Sequence, residues 1–596
     1  MHLFNRNSCH PNRAKVQLCT HRRAVRSLRF LSNKTTLRSV AIVRTPQSRI
    51  EKQIFELWKE LKPSSAFTAG LDDYAGRLFV PTEANVKQML RRIAKLKTHA
   101  EDIVEQKFLQ CLETELRFEE PHMVLENILW TFYRHLVKEG IKAEHFLSLA
   151  SHAKKALEVS KERLIRTEWP IEIRAITSYG ENSLLGILAT IRHQTENKSL
   201  LKELTELEQV VHNYVEPFHV EGVKEGSFEE VFPVLEREEG DIRRKEIYPK
   251  LLKDLYDYPE TPNQIENKAL GWLEEELPEL MEATRKLADI YDIESRVEFV
   301  ADEMTKRRNV EGSEILTVVS TMREKLMKVV ENYLVKVTPI YDTRVVETPP
   351  YLASLITSAA ADWFNTLTDE PFNLFFVTTD PKRSAPLSAP DLLTSIIHEE
   401  YGHCINHSNS ATNFAAKPRL IELLDTTLAS SITEAISFFR ETEFISLLKQ
   451  LARRKEELPP DEKGLLDSLR AIGDLDTVIL ETEFLVMEWR VLRFIRAIGD
   501  VRINMGKQSA IEFINWAHER TGLSKKMLYN EVFTFQDSPA YAPCYCMAGE
   551  ELRKLQALAV GRGKSVTDFN TYVSSMGYPP RTVYEERLRE YAMSAV

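Results

Sequence analysis

Glycine is scarce in this chain, at 20 of 596 residues, about half of the roughly 7% that is usual in proteins. Glycine is the residue that most readily adopts the backbone conformations of tight turns, which fold classes built from many short strands need in large numbers. The shortage of glycine therefore favours long helices over many short strands.

Apolar residues repeat at intervals of three and four along much of the chain. The clearest example is the segment 313–335, where charged residues separate apolar positions at Ile315, Val318, Val319, Met322, Leu326, Val329, Val330 and Tyr333. This spacing is typical of a helix with one buried face. One run differs: residues 373–379 include two aromatic and three β-branched residues, are followed by Asp380-Pro381, and predict a strand. We predict a mainly α fold with a small strand element near its middle.

Charge and cysteine content exclude several classes of protein. The net charge is −10, and residues 1–50 hold eleven basic and no acidic side chains, which leaves 68 basic and 89 acidic side chains in the rest. An acidic body repels phosphate backbones, so we expect no nucleic-acid partner.

No uncharged apolar run reaches the roughly 18–20 residues of a membrane span. Six cysteines are too few for a disulfide scaffold, which indicates a reducing compartment and favours a cytoplasmic location.

The chain divides into three predicted regions: a basic tail (1–48), an N-terminal helical region (49–240) and a catalytic helical region (241–596). The tail is rich in arginine and free of acidic residues, which is typical of a transit peptide for an organellar matrix. A start codon assigned too early and a basic arm for membranes or nucleic acid are the alternatives. Because the tail lacks apolar periodicity, we expect it to be dispensable for folding.

The strongest chemical signal is the run His398-Glu-Glu-Tyr-Gly-His403. Ser388 and Asp391 predict a capped helix start upstream of it. The zinc-peptidase motif H-E-x-x-H places two imidazoles four residues apart on one helix face, whereas here the spacing is five. On a regular helix that spacing leaves the imidazoles about 140° apart. They converge only if the helix absorbs one residue, so the sequence predicts a π-bulge, which Gly402 would ease.

Two other interpretations of these histidines remain open. They can be buried histidines with ordinary hydrogen bonds, or the metal can be bound by His403 and His407 with Glu399 as third ligand. The best candidate for a third ligand beside His398 and His403 is Glu434, an isolated acid among small and apolar residues. A carboxylate in such surroundings is costly unless a metal or a base compensates it. The alternative for Glu434 is an exposed helix position.

Segment by segment, the chain resembles a bacterial family of unknown function whose signatures are H-E-x-Y-P-G-H and, some 30–40 residues later, E-G-W-A-L-Y-A-E. The first resembles His398–His403 and the second resembles Glu434-Ala-Ile-Ser-Phe-Phe-Arg-Glu441. Weaker similarities lie at Pro349-Pro350-Tyr351, Leu374–Thr379 and Pro539–Tyr545, so that the resemblance covers roughly residues 240–596. That family is related to helical zinc peptidases of the thimet oligopeptidase and carboxypeptidase Taq type. The resemblance implies a large bowl of helices with a deep cleft and a short β-element beside the active-site helix.

The chain departs from the family pattern at two positions. The proline of the P-G-H box is absent, and Asn504 stands where the family usually has a histidine. The five-residue spacing is also that of dipeptidyl peptidase III, which makes an exopeptidase of that kind an alternative. Two further alternatives are a zinc hydrolase of a non-peptide amide or ester, and a non-catalytic helical scaffold with a degenerate site.

The resemblance implies a zinc-dependent peptidase acting on peptide substrates. Zinc would be held by His398, His403 and Glu434, and Glu399 would act as general base. Tyr545, with Tyr541 second, would donate a hydrogen bond to the oxyanion, although both tyrosines can also be core aromatics. The segment Leu374–Thr379 would pair with an extended peptide as an added strand. The cysteines at 404, 544 and 546 are expected to pack as small apolar side chains. Nothing in the sequence indicates an oligomeric state.

Overall fold

The computed structural model describes residues 44–223, 228–237, 244–352, 356, 358–379 and 387–595. Most of the predicted basic tail, residues 1–43, and the predicted boundary at 240/241 lie outside these residues. None of the described helices is both long and apolar enough to cross a membrane.

The predicted mainly α fold is confirmed. The helices before the sheet are α1 (Arg49–Leu61), α2 (Pro63–Thr68), α3 (Glu83–Lys97), α4 (Ile103–Arg117), α5 (Pro121–Glu139), α6 (Ala143–Leu164), α7 (Ile171–Gln194), α8 (Lys198–Val215), α9 (Phe228–Leu235), α10 (Tyr248–Leu255), α11 (Pro262–Tyr291), α12 (Val297–Arg308) and α13 (Ile315–Tyr333). Helix α13 is the segment with the clearest apolar periodicity, and its apolar positions from Ile315 to Val330 supply its buried face.

The helices after the sheet carry the candidate site. They are α14 (Ala389–Ile396), a π-helical segment (Ile397–Cys404), α15 (Ile405–Ala411), α16 (Thr427–Arg453), α17 (Pro460–Ile472), α18 (Leu475–Asn504), α19 (Ala510–Thr521), α20 (Lys525–Asp537), α21 (Cys544–Gly561), α22 (Val566–Val573) and α23 (Arg581–Met593). Helix α16 packs against both the π-helical segment and α21, so these three elements surround the site.

A small sheet lies beside the π-helical segment. Its strands are β1 (Thr343–Glu347), β2 (Ala359–Phe364) and β3 (Phe372–Val377), in the order β1-β3-β2. Strand β3 confirms the predicted strand. It pairs in parallel with β1 and antiparallel with β2, so both of its edges are occupied. The prediction that Leu374–Thr379 accepts a peptide as an added strand is therefore wrong, because the edge nearer the site belongs to β2.

One apolar core joins the beginning and the end of the described chain. Trp58 and Leu112, from α1 and α4, belong to the same buried cluster as Phe438 and Phe494, from α16 and α18. The indole nitrogen of Trp58 also donates a hydrogen bond to the carbonyl oxygen of Asp425 at 2.9 Å. The predicted regions 49–240 and 241–596 thus share a core.

The boundary of the predicted tail needs correction at its C-terminal end, because residues 44–48 contact the body. Arg44 is buried, and its guanidinium donates hydrogen bonds to the carbonyl oxygens of Pro418 (2.9 Å), Ser410 (2.6 Å) and Ala411 (2.9 Å). The side chain of Ser48 caps α1 by accepting a hydrogen bond from the backbone N–H of Glu51. Apolar periodicity could not predict this contact, because the contact is formed by a buried arginine and a helix-capping serine rather than by an apolar face.

A chain that begins at Arg44 should therefore be more stable than one that begins at Arg49. Loss of the Ser48 cap and of the charged hydrogen bonds of Arg44 should lower the free energy of unfolding by about 2–4 kcal/mol. Thermal unfolding of the two purified chains measures the difference, with Arg44→Ala in the longer chain as the control for the guanidinium alone. Equal melting temperatures for all three would contradict a role of these residues in folding.

Candidate metal centre

The helix that carries both histidines is distorted as predicted. It begins at the capping box of Ser388 and Asp391, runs as α14, and changes to π-helical geometry from Ile397 to Cys404. The wider turn absorbs the fifth residue of the spacing. The imidazole rings of His398 and His403 consequently lie on one side of the helix, with centres 4.9 Å apart and planes at 83°.

Gly402 and Ser437 make this distortion possible. A Cβ atom at position 402 would lie 2.2 Å from the hydroxyl oxygen of Ser437 and 2.7 Å from its Cα, so only glycine allows α16 to approach this closely. The Ser437 hydroxyl donates a hydrogen bond to the carbonyl oxygen of His398 at 3.2 Å, and it lies 3.1 Å from Nδ1 of His403. One serine thus stabilises the π-helical turn and orients the second imidazole.

Glu434, on α16, meets the two histidines. One of its carboxylate oxygens, Oε2, lies 3.7 Å from Nε2 of His398 and 3.8 Å from Nε2 of His403. Potential ligand atoms of the three residues all lie within 4.8 Å of one another. Glu434 Oε2 is buried and has no hydrogen-bond partner. The residues predicted as metal ligands are therefore brought together, with their free atoms pointing at one another.

The opposite nitrogen of each imidazole is already occupied. Nδ1 of His398 lies 2.7 Å from Oε1 of Glu441, and that carboxylate accepts two hydrogen bonds from Arg493, at 2.6 and 2.8 Å. Nδ1 of His403 lies beside Ser437. Carboxylates and hydroxyls in these positions are the usual outer partners of metal-binding histidines, because they fix the tautomer and leave Nε2 free.

Burial and neighbouring charges set the protonation of these three groups. Burial alone would lower the pKa of His398, but the neighbouring carboxylates of Glu434 and Glu441 outweigh it and raise that pKa to about 9. Burial lowers the pKa of His403 to about 4. Burial alone would raise the pKa of Glu434, but the positive charges of His403 and His398 outweigh it and lower that pKa to about 2. The centre thus stabilises one positive charge beside an ionised carboxylate.

The two consecutive glutamates of the motif have different surroundings. Glu399 faces the centre: burial raises its pKa to about 7, the charge of His398 opposes the rise, and the backbone N–H of Ala361 on β2 donates a hydrogen bond to its carboxylate. Glu400 points away, where it pairs with Arg323 and accepts a hydrogen bond from the Tyr341 hydroxyl at 2.9 Å. Of the two glutamates, Glu399 is therefore the one whose carboxylate interacts with the converging histidines and Glu434.

The two candidate tyrosines lie on the far side of Glu434. Tyr541 donates a hydrogen bond to Oε1 of Glu434 at 2.6 Å, and the Tyr545 hydroxyl lies 3.0 Å from that of Tyr541. The ring of Tyr545 is 6.4 Å from that of His398, and the guanidinium carbons of Arg493 and Arg496 lie 5.1 and 4.9 Å from its centre. Tyr541 is thus the tyrosine that contacts a predicted ligand directly, which sequence reasoning had ranked second.

The alternative ligand set built on His407 is not assembled. The ring of His407 stacks on Trp363 with centres 5.2 Å apart, and its Nδ1 lies 3.4 Å from the Tyr578 hydroxyl. Burial lowers its pKa to about 3. Within the described part of the chain, the groups of three potential ligands that converge are His398, His403 and Glu434, and a second cluster at His122.

Asn504, the departure from the family pattern, lies in a separate polar network. It is fully buried, donates hydrogen bonds to the carbonyl and carboxylate oxygens of Asp500 at 2.8 and 2.7 Å, and accepts one from Arg244 at 2.9 Å. Asp500 in turn accepts a hydrogen bond from the Tyr248 hydroxyl at 2.9 Å. The asparagine thus joins the end of α18 to the segment that begins at Arg244. The cysteines at 404, 544 and 546 are buried and free, and those at 544 and 546 pack in an apolar core cluster as predicted.

A cavity of about 640 Å³ adjoins the centre. Strand β2 forms one wall through residues 360–363, and α4, α5 and the segment at Ser538-Pro539 contribute to its lining. Its aromatic lining residues are Phe79, Phe118, Trp130, Tyr256, Trp363 and Phe376. Ala361 hydrogen-bonds Glu399, and the ring of Trp363 lies 6.5 Å from that of His403, so the cavity and the centre share this wall.

Comparison with known proteins shows the fold alone. No protein-family model and no curated protein matches the chain. A solved structure titled as a "putative lipoprotein" from Colwellia psychrerythraea aligns with a TM-score of 0.61 and 13% identity, over 91% of this chain and 99% of that one. A second, a "putative lipoprotein of unknown function" from Shewanella oneidensis, aligns with a TM-score of 0.61 and 12% identity, over 90% and 98%. Chains of similar architecture therefore exist with very different sequences.

Proposed function

We propose that this protein is a zinc-dependent hydrolase of peptide bonds. The observation that carries the proposal is the convergence of His398, His403 and Glu434 at a helix turn that the sequence distorts to bring the histidines together. Two imidazoles and one carboxylate are a usual protein ligand set of catalytic zinc, which keeps a fourth position open.

The donor atoms fit such an ion. Zinc–nitrogen and zinc–oxygen bonds of roughly 2.0–2.2 Å in a tetrahedron separate neighbouring ligand atoms by about 3.4 Å. The separations of Glu434 Oε2 from the two Nε2 atoms, 3.7 and 3.8 Å, are within a small inward movement of that value. The buried Oε2 atom has no hydrogen-bond partner, and coordination of the ion would satisfy it.

Zinc held here would act as a Lewis acid that lowers the pKa of a water molecule toward neutrality. Glu399 would accept the proton of the attacking water and pass it to the leaving amine. Its pKa of about 7 suits both steps, because the carboxylate can take and release a proton near neutral pH. The hydrogen bond from Ala361 orients this carboxylate.

Tyr541 and Tyr545 would have different roles. The hydroxyl of Tyr541 is engaged with Glu434, so it would orient that ligand. Tyr545 would then be the donor that turns from Tyr541 toward the oxyanion of the substrate, as the sequence predicts. The guanidinium groups of Arg493 and Arg496 against its ring favour a negative charge nearby.

Strand β2 is where an extended peptide would bind. Among the described strands it forms one edge of the sheet, the edge that lies between the cavity and the π-helical segment. A peptide that pairs with an edge strand gains main-chain hydrogen bonds regardless of its sequence. The aromatic lining of the cavity would accept apolar side chains of such a peptide.

Metal analysis combined with digestion of a peptide library tests the proposal. We expect zinc to co-purify with the full chain, and we expect peptide cleavage that a chelator abolishes and added zinc restores. His398→Ala serves as the matched control and should abolish cleavage. A zinc protein that cleaves no peptide but hydrolyses other amides or esters would overturn the substrate class. A metal-free, inactive and well-folded protein would identify a scaffold.

A further inference from the structure

A second cluster of potential metal ligands joins two helices outside the candidate centre. His122 and Glu126 lie one turn apart on α5, and Asp537 is the last residue of α20. One potential ligand atom from each lies within 4.8 Å of the others. His122 is fully buried, whereas the two carboxylates are partly accessible. An imidazole and two carboxylates are therefore collected from two distant parts of the chain.

The acceptor atoms of this cluster outnumber its donors. Nε2 of His122 lies 2.9 Å from the carbonyl oxygen of Asp537 and 3.1 Å from its Oδ1 atom, which is buried without a hydrogen-bond partner. The carboxyl groups of Glu126 and Asp537 are also hydrogen-bonded to each other. Two carboxylates in contact need either a shared proton or a cation between them.

The surroundings of the second ring nitrogen of His122, Nδ1, favour metal binding by Nε2. Nδ1 is buried and has no hydrogen-bond partner, and its nearest carboxylate oxygen is Oε2 of Glu120, at 4.0 Å. If Nε2 binds a metal, the proton of the neutral imidazole moves to Nδ1 and faces this acceptor. Glu120 is held in place by Arg244, through hydrogen bonds of 2.9 and 2.6 Å. A carboxylate behind a metal-binding histidine is a recurrent arrangement.

We propose that His122, Glu126 and Asp537 bind a divalent transition-metal ion, most simply a second zinc ion. The mixed nitrogen and oxygen ligands favour zinc over calcium and magnesium, which prefer oxygen ligands alone. The two carboxylates balance the charge of the ion.

The position of this site gives it a structural task. Asp537 ends α20, and the connection that follows it to α21 carries Tyr541, whose hydroxyl contacts Glu434. The ion would fasten the connection to α5, in addition to the hydrogen bond between the Ala540 N–H and Asp500. Metal at His122 would therefore rigidify one wall of the candidate centre without contacting a substrate.

Glu126→Gln is the decisive variant, because its amide keeps the size and the hydrogen bond to Asp537 but removes a charged ligand. Elemental analysis of zinc-saturated, dialysed protein should find two zinc ions per chain in the unaltered protein, one in Glu126→Gln, one in His398→Ala and none in the double variant. Zinc affinity measured in the His398→Ala background should fall at least about tenfold when Glu126→Gln is added.

Two further measurements complete the test. In the His398→Ala background, added zinc should raise the melting temperature, and Glu126→Gln should remove that increase. Glu126→Gln should leave the circular dichroism spectrum unchanged. The inference is overturned if Glu126→Gln retains both zinc ions, or if the unaltered protein binds a single ion that His398→Ala removes. Both results are independent of whether any peptide is cleaved.

Discussion

Replacing Glu399 by glutamine should lower peptide turnover by about 10²–10⁴-fold and leave the zinc content unchanged, since the usual contribution of general acid–base catalysis is of that size. Glutamine keeps the shape of the side chain but cannot accept a proton. Zinc should stay because the potential ligand atoms that converge belong to His398, His403 and Glu434. Steady-state kinetics and elemental analysis of the same preparation measure both quantities.

The matched control for this substitution is Glu400→Gln. Glu400 is also buried and is adjacent in sequence, but it pairs with Arg323 on the other side of the helix. Its replacement should lower the melting temperature, because a buried pair is broken, and change turnover by much less. If Glu399→Gln loses zinc, Glu399 is a ligand and the proposed division of roles is wrong.

Replacing Glu434 by glutamine should instead reduce zinc occupancy, and turnover should fall with it. The substitution removes a negative charge whose free oxygen lies 3.7–3.8 Å from both Nε2 atoms. Excess zinc should partly restore activity to this variant and have no effect on Glu399→Gln. Zinc affinity from competition with a chelator, and activity as a function of added zinc, are the measurements.

Glu441→Gln provides the comparison for Glu434. Glu441 contacts Nδ1 of His398 and not the converging ligand atoms, so its loss should weaken zinc binding by about 10–100-fold, less than loss of a ligand. Equal losses in the two variants would show that the charge of the pocket, rather than direct coordination by Glu434, controls metal binding. If neither variant loses zinc, Glu434 is an ordinary helix residue.

Local sequence patterns predicted the structural elements that depend on residues close together in the chain. The helix distortion followed from a five-residue spacing, and strand β3 followed from a run of aromatic and β-branched residues. Strand β2 could not be predicted, because Ala359-Ala-Ala-Asp-Trp-Phe364 has no strand pattern and becomes a strand by pairing with β3. The added-strand prediction failed for the same reason, since the sequence does not show which strand lies at the edge.

The sequence alone could not predict which residues contact the candidate metal ligands. Ser437 acts because α16 approaches Gly402, and Arg493 acts because α18 passes behind Glu441. These contacts join residues 34–52 positions apart on different helices. Helix periodicity indicates which face of each helix is buried, but it does not indicate which helices meet.

The shared core of early and late helices has a consequence for the order in which the chain can fold during synthesis. Trp58 lies 367 residues before the carbonyl group that accepts its hydrogen bond. At roughly 5–20 residues per second, the ribosome needs about 20–70 seconds to produce that partner. During this interval, the apolar faces of α1 and α4 lack their final packing partners. They are therefore exposed to chaperone binding and to aggregation.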